Sequence, residues 1–241
     1  MSLKGKTAIV TGGSRGIGKA IALKLASLGA DIVINDMVDL EKMESAVAEI
    51  KALGVKCEAV KTDVSNEEEV KEMVKTGKPV VMIVLAGRPL TIETEYNLCD
   101  AVLYAWHPGT MGGDAIADIL FGKINPSGKL PVTFPRHVGQ IPIHYNHNNT
   151  GRPAPDNVKT LDHIDIPEPQ TSLGHTSFYM DYGKFPFLSF GYGLSYTSFG
   201  FENLKLNKEY IHIANDSLVV ECLLKNTGNM SGTEVAQLYV Q

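Results

Sequence analysis

The spacing of apolar positions changes along this chain, and the changes mark its elements. Lys6–Thr11 is a short β-branched run, read as a buried strand. Over Arg15–Leu28, residues Ile17, Ile21 and Leu25 recur one turn apart, which predicts an amphipathic helix closed at Gly29. Asp31–Asn35 predicts a second strand. Leu40–Leu53 predicts a second helix, with Met43, Val47 and Ile50 inward and Gly54 behind it, and Lys56–Lys61 a third strand. Ser65 is placed to cap a further helix through Val74, its Glu67, Glu68 and Glu69 suited to the positive end of the helix dipole. Alternation of this kind predicts a parallel sheet with helices on both faces.

Past Thr76 the pattern changes. Pro79–Leu85 is a continuous apolar run, as in a central parallel strand, and Ala101–Trp106 reads as another. Gly112–Phe121 predicts a helix with Ile116, Ile119 and Leu120 on one face. From Asn125 to about Lys184 prolines recur and regular spacing is lost, and so long a stretch is usually functional or mobile. The end alternates as strands do, at Leu204/Leu206, Leu218–Leu224 and Val235–Val240, with turn residues Asn226-Thr227-Gly228 and Ser231-Gly232 between the last two runs. The expected fold is α/β: a Rossmann-like parallel sheet with helices on both faces, then a long loop region and a partial fibronectin III-like β-sandwich. The expected segments are 1–75, 76–145, 146–198 and 199–241.

Composition narrows the function classes. The 241 residues are 44% hydrophobic and 20% charged, with a net charge of −5. That argues against a disordered chain and against a nucleic-acid partner, since nothing basic clusters to neutralise phosphates. No apolar run approaches the ~18–20 residues of a membrane helix. The four-residue apolar stretch before Thr11 is too short for a signal-peptide core. Cys57, Cys99 and Cys222 are odd in number and far apart, which suggests a reducing compartment, no metal cage and a cytoplasmic protein.

Thr11-Gly12-Gly13-Ser14-Arg15-Gly16-Ile17-Gly18 falls between a predicted strand and a predicted helix. A dinucleotide pyrophosphate needs backbone approach without Cβ atoms and open helix amides aimed at the anion, and this turn offers both. The candidate cofactor-binding residues are Gly12, Ser14, Arg15, Gly16, Ile17 and Gly18, with Asp36, Asp63 and Val64 after the next two strands. Asp36 is placed to accept from the adenosine ribose, and its charge favours NAD over NADP. Arg15 argues the other way, because a guanidinium can hold a 2′-phosphate. Asp63 is placed to meet the adenine amino group. Weak NAD binding is the expectation.

Through these residues the segment from Lys4 to about Lys75 resembles the short-chain dehydrogenase/reductase family, with its Thr-Gly-x-x-x-Gly-x-Gly signature and its Asp63-Val64 pair. The resemblance implies a Tyr-x-x-x-Lys catalytic pair, yet no such spacing occurs, and Tyr182 and Lys184 are too close in sequence to share a helix face. Leu85-Ala86-Gly87 stands where that family has Asn-Asn-Ala-Gly. Hydride transfer is not expected.

A second set of motifs follows. Gly77-Lys78-Pro79, Gly87-Arg88-Pro89-Leu90, Ala105-Trp106-His107-Pro108-Gly109, Gly112-Gly113-Asp114, Asn125-Pro126-Ser127-Gly128-Lys129-Leu130-Pro131, Gly139-Gln140-Ile141-Pro142, Asn149-Thr150-Gly151-Arg152-Pro153 and Phe190-Gly191-Tyr192-Gly193-Leu194-Ser195-Tyr196-Thr197 occur in order. They resemble the C-terminal half of glycoside hydrolase family 3 β-glucosidases, with a tail similar to a fibronectin III-like module. That family's catalysis needs a nucleophilic Asp on an N-terminal barrel and an acid/base Glu before the Gly-Lys-Pro strand, and neither position carries over to a residue here. No catalytic residue is therefore named.

The remaining groups have plainer readings. Glu93 and Glu95 alternate as on a strand and read as loop charges, and Asp114 suits a helix N-terminus. His144 and His147 lack a third metal ligand nearby. The aromatics from Tyr179 to Tyr196 read as packing before a sugar-stacking wall.

The sequence thus reads as a chimera joined near residues 75–76, with the later strands extending the first sheet. Three outcomes stay open: a dinucleotide-binding module, an enzyme (a β-glucosidase fragment needing a partner chain, or a weak dehydrogenase), and an inactive fusion. The incomplete sandwich, ending before its later strands, is expected to self-associate through an unpaired edge.

Overall fold

The structure is a computed structural model that describes residues 2–64, 66, 68–69, 71, 78–146, 153–156, 158–167, 176, 178–212 and 215–239. At the front, β1 (Thr7–Thr11), α1 (Gly16–Ser27), β2 (Asp31–Asp36), α2 (Leu40–Lys51) and β3 (Cys57–Lys61) follow each other as the apolar spacing predicts. The three strands pair parallel in the order β1–β2–β3, with Val10 opposite Ile34 and Ile34 opposite Ala59. The central strand buries Ile32 and Ile34. Ile21 and Leu25 of α1 and Met43 and Ile50 of α2 close over the sheet. The helix expected from Ser65 to Val74 falls largely outside the described residues.

The later strands do not extend this sheet. β4 (Val81–Val84) and β5 (Ala101–Tyr104) pair parallel as a separate two-stranded sheet. Apolar alternation identifies a strand but not its partner, so the expectation of one continuous sheet is corrected to small separate ones. Between β4 and β5 lies α3 (Glu93–Leu98), which the sequence read as loop or strand. Six residues are too few to display a helical period. After β5 comes α4 (Gly112–Leu120), with Ile116 and Ala117 buried. It crosses α1 closely: a Cβ on Gly113 would lie 2.5 Å from the Ala20 Cβ.

Local backbone pairing recurs in the described part of the proline-rich stretch. That part carries 3₁₀ turns at Val138–Gln140 and Leu161–His163, and bridges join Phe134 to Leu188 and Tyr179 to Gly183. Phe134 is among the most buried side chains described.

At the end, β6 (Phe199–Leu206) and β7 (Val220–Asn226) form an antiparallel ribbon, bulged between Glu202 and Lys205 where Asn203 turns left-handed at φ 55°. The strand expected at Val235–Val240 is not formed over its described residues, because nothing described pairs with it. The partial sandwich is therefore, among the described residues, a two-stranded ribbon. The chain divides into two compact units, Met1–Ala117 with Leu130–Tyr192, and Asp118–Lys129 with Gly193–Gln241. In the second, Lys129 Nζ donates to the Gly193 carbonyl at 2.7 Å and pairs with Glu234 at 3.0 Å, both side chains largely buried. Asn125 Nδ2 donates to Ser195 Oγ at 2.9 Å.

Candidate functional site

The carboxyl ends of β1, β2 and β3 gather the residues singled out at the front, because each follows its strand directly. Gly12 (φ 63°) and Gly16 (φ 56°) are left-handed, a conformation that strains any other residue. Gly18 has a different reason: a Cβ there would stand 2.3 Å from the Gly12 carbonyl oxygen, so α1 can back onto the turn only without a side chain. Gly13, which the sequence reading passed over, is equally confined, by Ile34 and the Val10 carbonyl. Backbone geometry alone thus accounts for these glycines. Arg15 is extended at the N-cap position of α1, and its side chain makes no capping hydrogen bond to the helix. Ile17 lies along the helix toward α4.

Asp36 ends β2, and its carboxylate accepts hydrogen bonds from Ser14 Oγ and, at 2.8 Å, from the Met37 amide. Burial pushes this carboxyl up, but the Ser14 hydroxyl and the backbone amides of Met37, Val38 and Ser14 outweigh it and hold it below the usual value of 3.8. It is charged at neutral pH and already engaged by its neighbours. Asp63, after β3, donates its backbone amide to Glu69 at 3.1 Å, and Val64 is exposed beside it. These are the residues that the sequence analysis assigns to the adenosine and pyrophosphate end of a dinucleotide.

A second cluster lies at the carboxyl ends of β4 and β5. Gly87 is pressed against His107, whose Nε2 would stand 2.4 Å from an added Cβ. The Tyr104 hydroxyl donates to the Arg88 carbonyl. Trp106, one of two non-glycine residues described at positive φ (51°), packs its ring 4.7 Å from Tyr104 and 6.1 Å from Phe134. A left-handed tryptophan costs on the order of 1–3 kcal/mol, and this aromatic packing holds it there. The sequence motif contains Trp106 but gives no sign of its left-handed backbone.

Several acids have cationic partners. Glu93, read from sequence as a solvated loop charge, opens α3 and pairs with Arg136, while Asp114 lies 3.5 Å from Lys24 and Asp118 2.9 Å from Lys123. The aromatic segment packs against residues distant in sequence, with Tyr182 stacked on His137 and Phe187 edge-on to Tyr96. His147 lies outside the described residues, and among those described no three His, Cys, Asp or Glu side chains gather as a metal site. No described helix is long and apolar enough to cross a membrane.

Residues 31–196 match the glycosyl hydrolase family 3 C-terminal domain. A periplasmic β-glucosidase of Salmonella typhimurium is 36% identical over 227 residues, covering 91% of this chain and 28% of that protein. The crystal structure of a β-glucosidase from Listeria innocua superposes with a TM-score of 0.69 at 27% identity, over 96% of this chain and 35% of its own. A metagenomic short-chain oxidoreductase solved with NADP matches 37% of this chain at a TM-score of 0.32, too low to assign a fold. The chain therefore spans about a third or less of the glycosidases it matches. These matches run across the junction expected at 75–76 and give it no support. They also correct the cytoplasmic expectation, since the Salmonella relative is periplasmic. A core of this size needs no disulfide, so an odd cysteine count does not report the compartment. By the extent of these matches, the chain belongs to the family of glycosyl hydrolase family 3 C-terminal domains.

Proposed function

We propose that this chain serves β-glucoside hydrolysis as the C-terminal part of a family 3 β-glucosidase, outside the cytoplasm, with the catalytic carboxylates supplied from beyond it. The observation that carries this reading is the superposition on the Listeria β-glucosidase over 96% of the chain. A retaining site needs a carboxylate nucleophile and a carboxylic acid about 5–5.5 Å apart. The resemblance puts neither on a residue of this chain, and Glu93, Asp114 and Asp118 are held by cations. The test uses the Salmonella relative truncated to remove the region this chain matches. Mixed with it, the chain is expected to co-elute and to raise hydrolysis of an aryl β-glucoside. Neither co-elution nor added hydrolysis would refute the reading.

A second reading is supported by the front turn: a dehydrogenase-derived half fused to the glycosidase part, holding the adenosine end of NAD. The amides following Gly12 and Gly16 would meet the pyrophosphate, Asp36 the ribose, and Asp63 the adenine. The cofactor would supply a hydride, but no residue here is assigned to its transfer. ADP-ribose is then expected to bind nearly as well as NAD, and Asp36→Ala to relax discrimination against NADP. Absence of any adenine-nucleotide binding at millimolar concentration to folded protein rejects it.

A further inference from the structure

Just past β4, Arg88 and Pro89 form one wall of a cavity of about 440 Å³, faced by Pro135, Ile143, Tyr145 and Phe190. The volume falls within the range of roughly 300–1,000 Å³ usual for small-molecule sites. Three features define what would fit. The Tyr145 and Phe190 rings are stacked on one another, 4.3 Å between centroids and 18° apart, so a ligand meets the pair along its edges or on one outer face. Among the described lining residues Arg88 is the one permanently charged group, it is exposed, and none is an acid that would repel an anion. The position of Arg88 is fixed from both sides, by the Tyr104 hydroxyl on its carbonyl and by the tight seat of Gly87 on His107. The cavity also lies beyond the carboxyl end of a parallel strand, where open α/β sheets place their ligands.

We propose that this cavity binds a small aromatic carboxylate. Its ring would lie against Tyr145 and Phe190, and its carboxylate would be taken by the Arg88 guanidinium, whose planar fork matches carboxylate geometry. The proline walls have fixed φ angles and lose little freedom when the ligand enters. A free sugar fits less well, because most of its hydroxyls would face proline, isoleucine and ring surfaces, against the few polar side chains of Thr133, His144, Tyr145 and Asn146 in the described lining. The inference goes beyond glycoside hydrolysis: binding is read on this chain alone, so a failed hydrolysis assay leaves it standing.

The experiment titrates 4-hydroxybenzoate into the full chain by calorimetry, with 4-hydroxybenzyl alcohol, acetate and glucose as comparators. The benzoate is expected to saturate, with each comparator at least about tenfold weaker, the cost of losing one charge-assisted pair or the ring contact. Arg88→Gln, a surface change that leaves the circular dichroism unaltered, is expected to weaken the benzoate about tenfold and leave the alcohol unchanged. Phe190→Leu is expected to weaken both aromatic ligands. No saturable benzoate binding, equal binding by Arg88→Gln, or glucose binding as tightly as benzoate overturns the proposal.

Discussion

Gly113 of α4 rests on Ala20 of α1 so closely that a methyl group on the glycine would come within 2.5 Å of the alanine Cβ. On the same two helices, Asp114 lies 3.5 Å from Lys24. Residues read from sequence as belonging to two families thus share one helix crossing.

Gly113→Val is therefore expected to overpack this crossing and destabilise the chain by about 1–3 kcal/mol. Urea unfolding measures it. Ala20→Gly in the same chain is expected to recover part of the loss, because it removes the atom that is struck. Additive losses in the double variant would show that the two positions do not meet.

Asp36 titrates below the usual carboxylate value of 3.8. A folded value lower than the unfolded one means that the group adds stability above the unfolded value. That contribution fades as pH falls through the depressed folded value. Ser14→Ala removes the hydroxyl that Asp36 accepts from, leaving burial less opposed. The Asp36 titration followed by carboxyl ¹³C NMR is expected to move upward, and the acid-side fall in stability to become shallower. An unmoved titration would mean that the hydroxyl does not hold the carboxylate.

The ribbon of β6 and β7 exposes Phe201 at 53%, Leu204 at 70% and Leu223 at 50%. Among the described residues no third strand pairs with the ribbon, and an exposed apolar edge of this kind templates pairing. We propose self-association through it, read as a concentration-dependent mass in sedimentation equilibrium. Phe201→Ser with Leu204→Ser is expected to shift the equilibrium to monomer while leaving α1 and α2 intact by circular dichroism. A wild-type monomer at every concentration contradicts this.

The front elements were legible because Ile17, Ile21 and Leu25, and Met43 and Ile50, repeat at helical spacing around short β-branched runs. α3 was not, since six residues carry no period and Glu93 takes its meaning from Arg136, forty-odd positions away in sequence. Strand partners were equally hidden: nothing local distinguishes a β4 that joins β1 from one that pairs only with β5. At the front turn the glycines were legible as a set, but their separate reasons were not. Two need positive φ, and Gly18 needs a missing side chain where α1 meets the Gly12 carbonyl. The left-handed Trp106 depends on rings from β5 and on Phe134, a contact that no spacing announces.

An aryl β-glucoside assay on the purified chain, alone and with the truncated Salmonella relative, tests whether the catalytic carboxylates come from beyond the chain. No release above buffer is expected from the chain alone, because both carboxylates are assigned outside it, and hydrolysis is expected to rise with added chain when the relative is present. Hydrolysis by the chain alone that survives re-purification, or a mixture no more active than the truncated relative by itself, would contradict it.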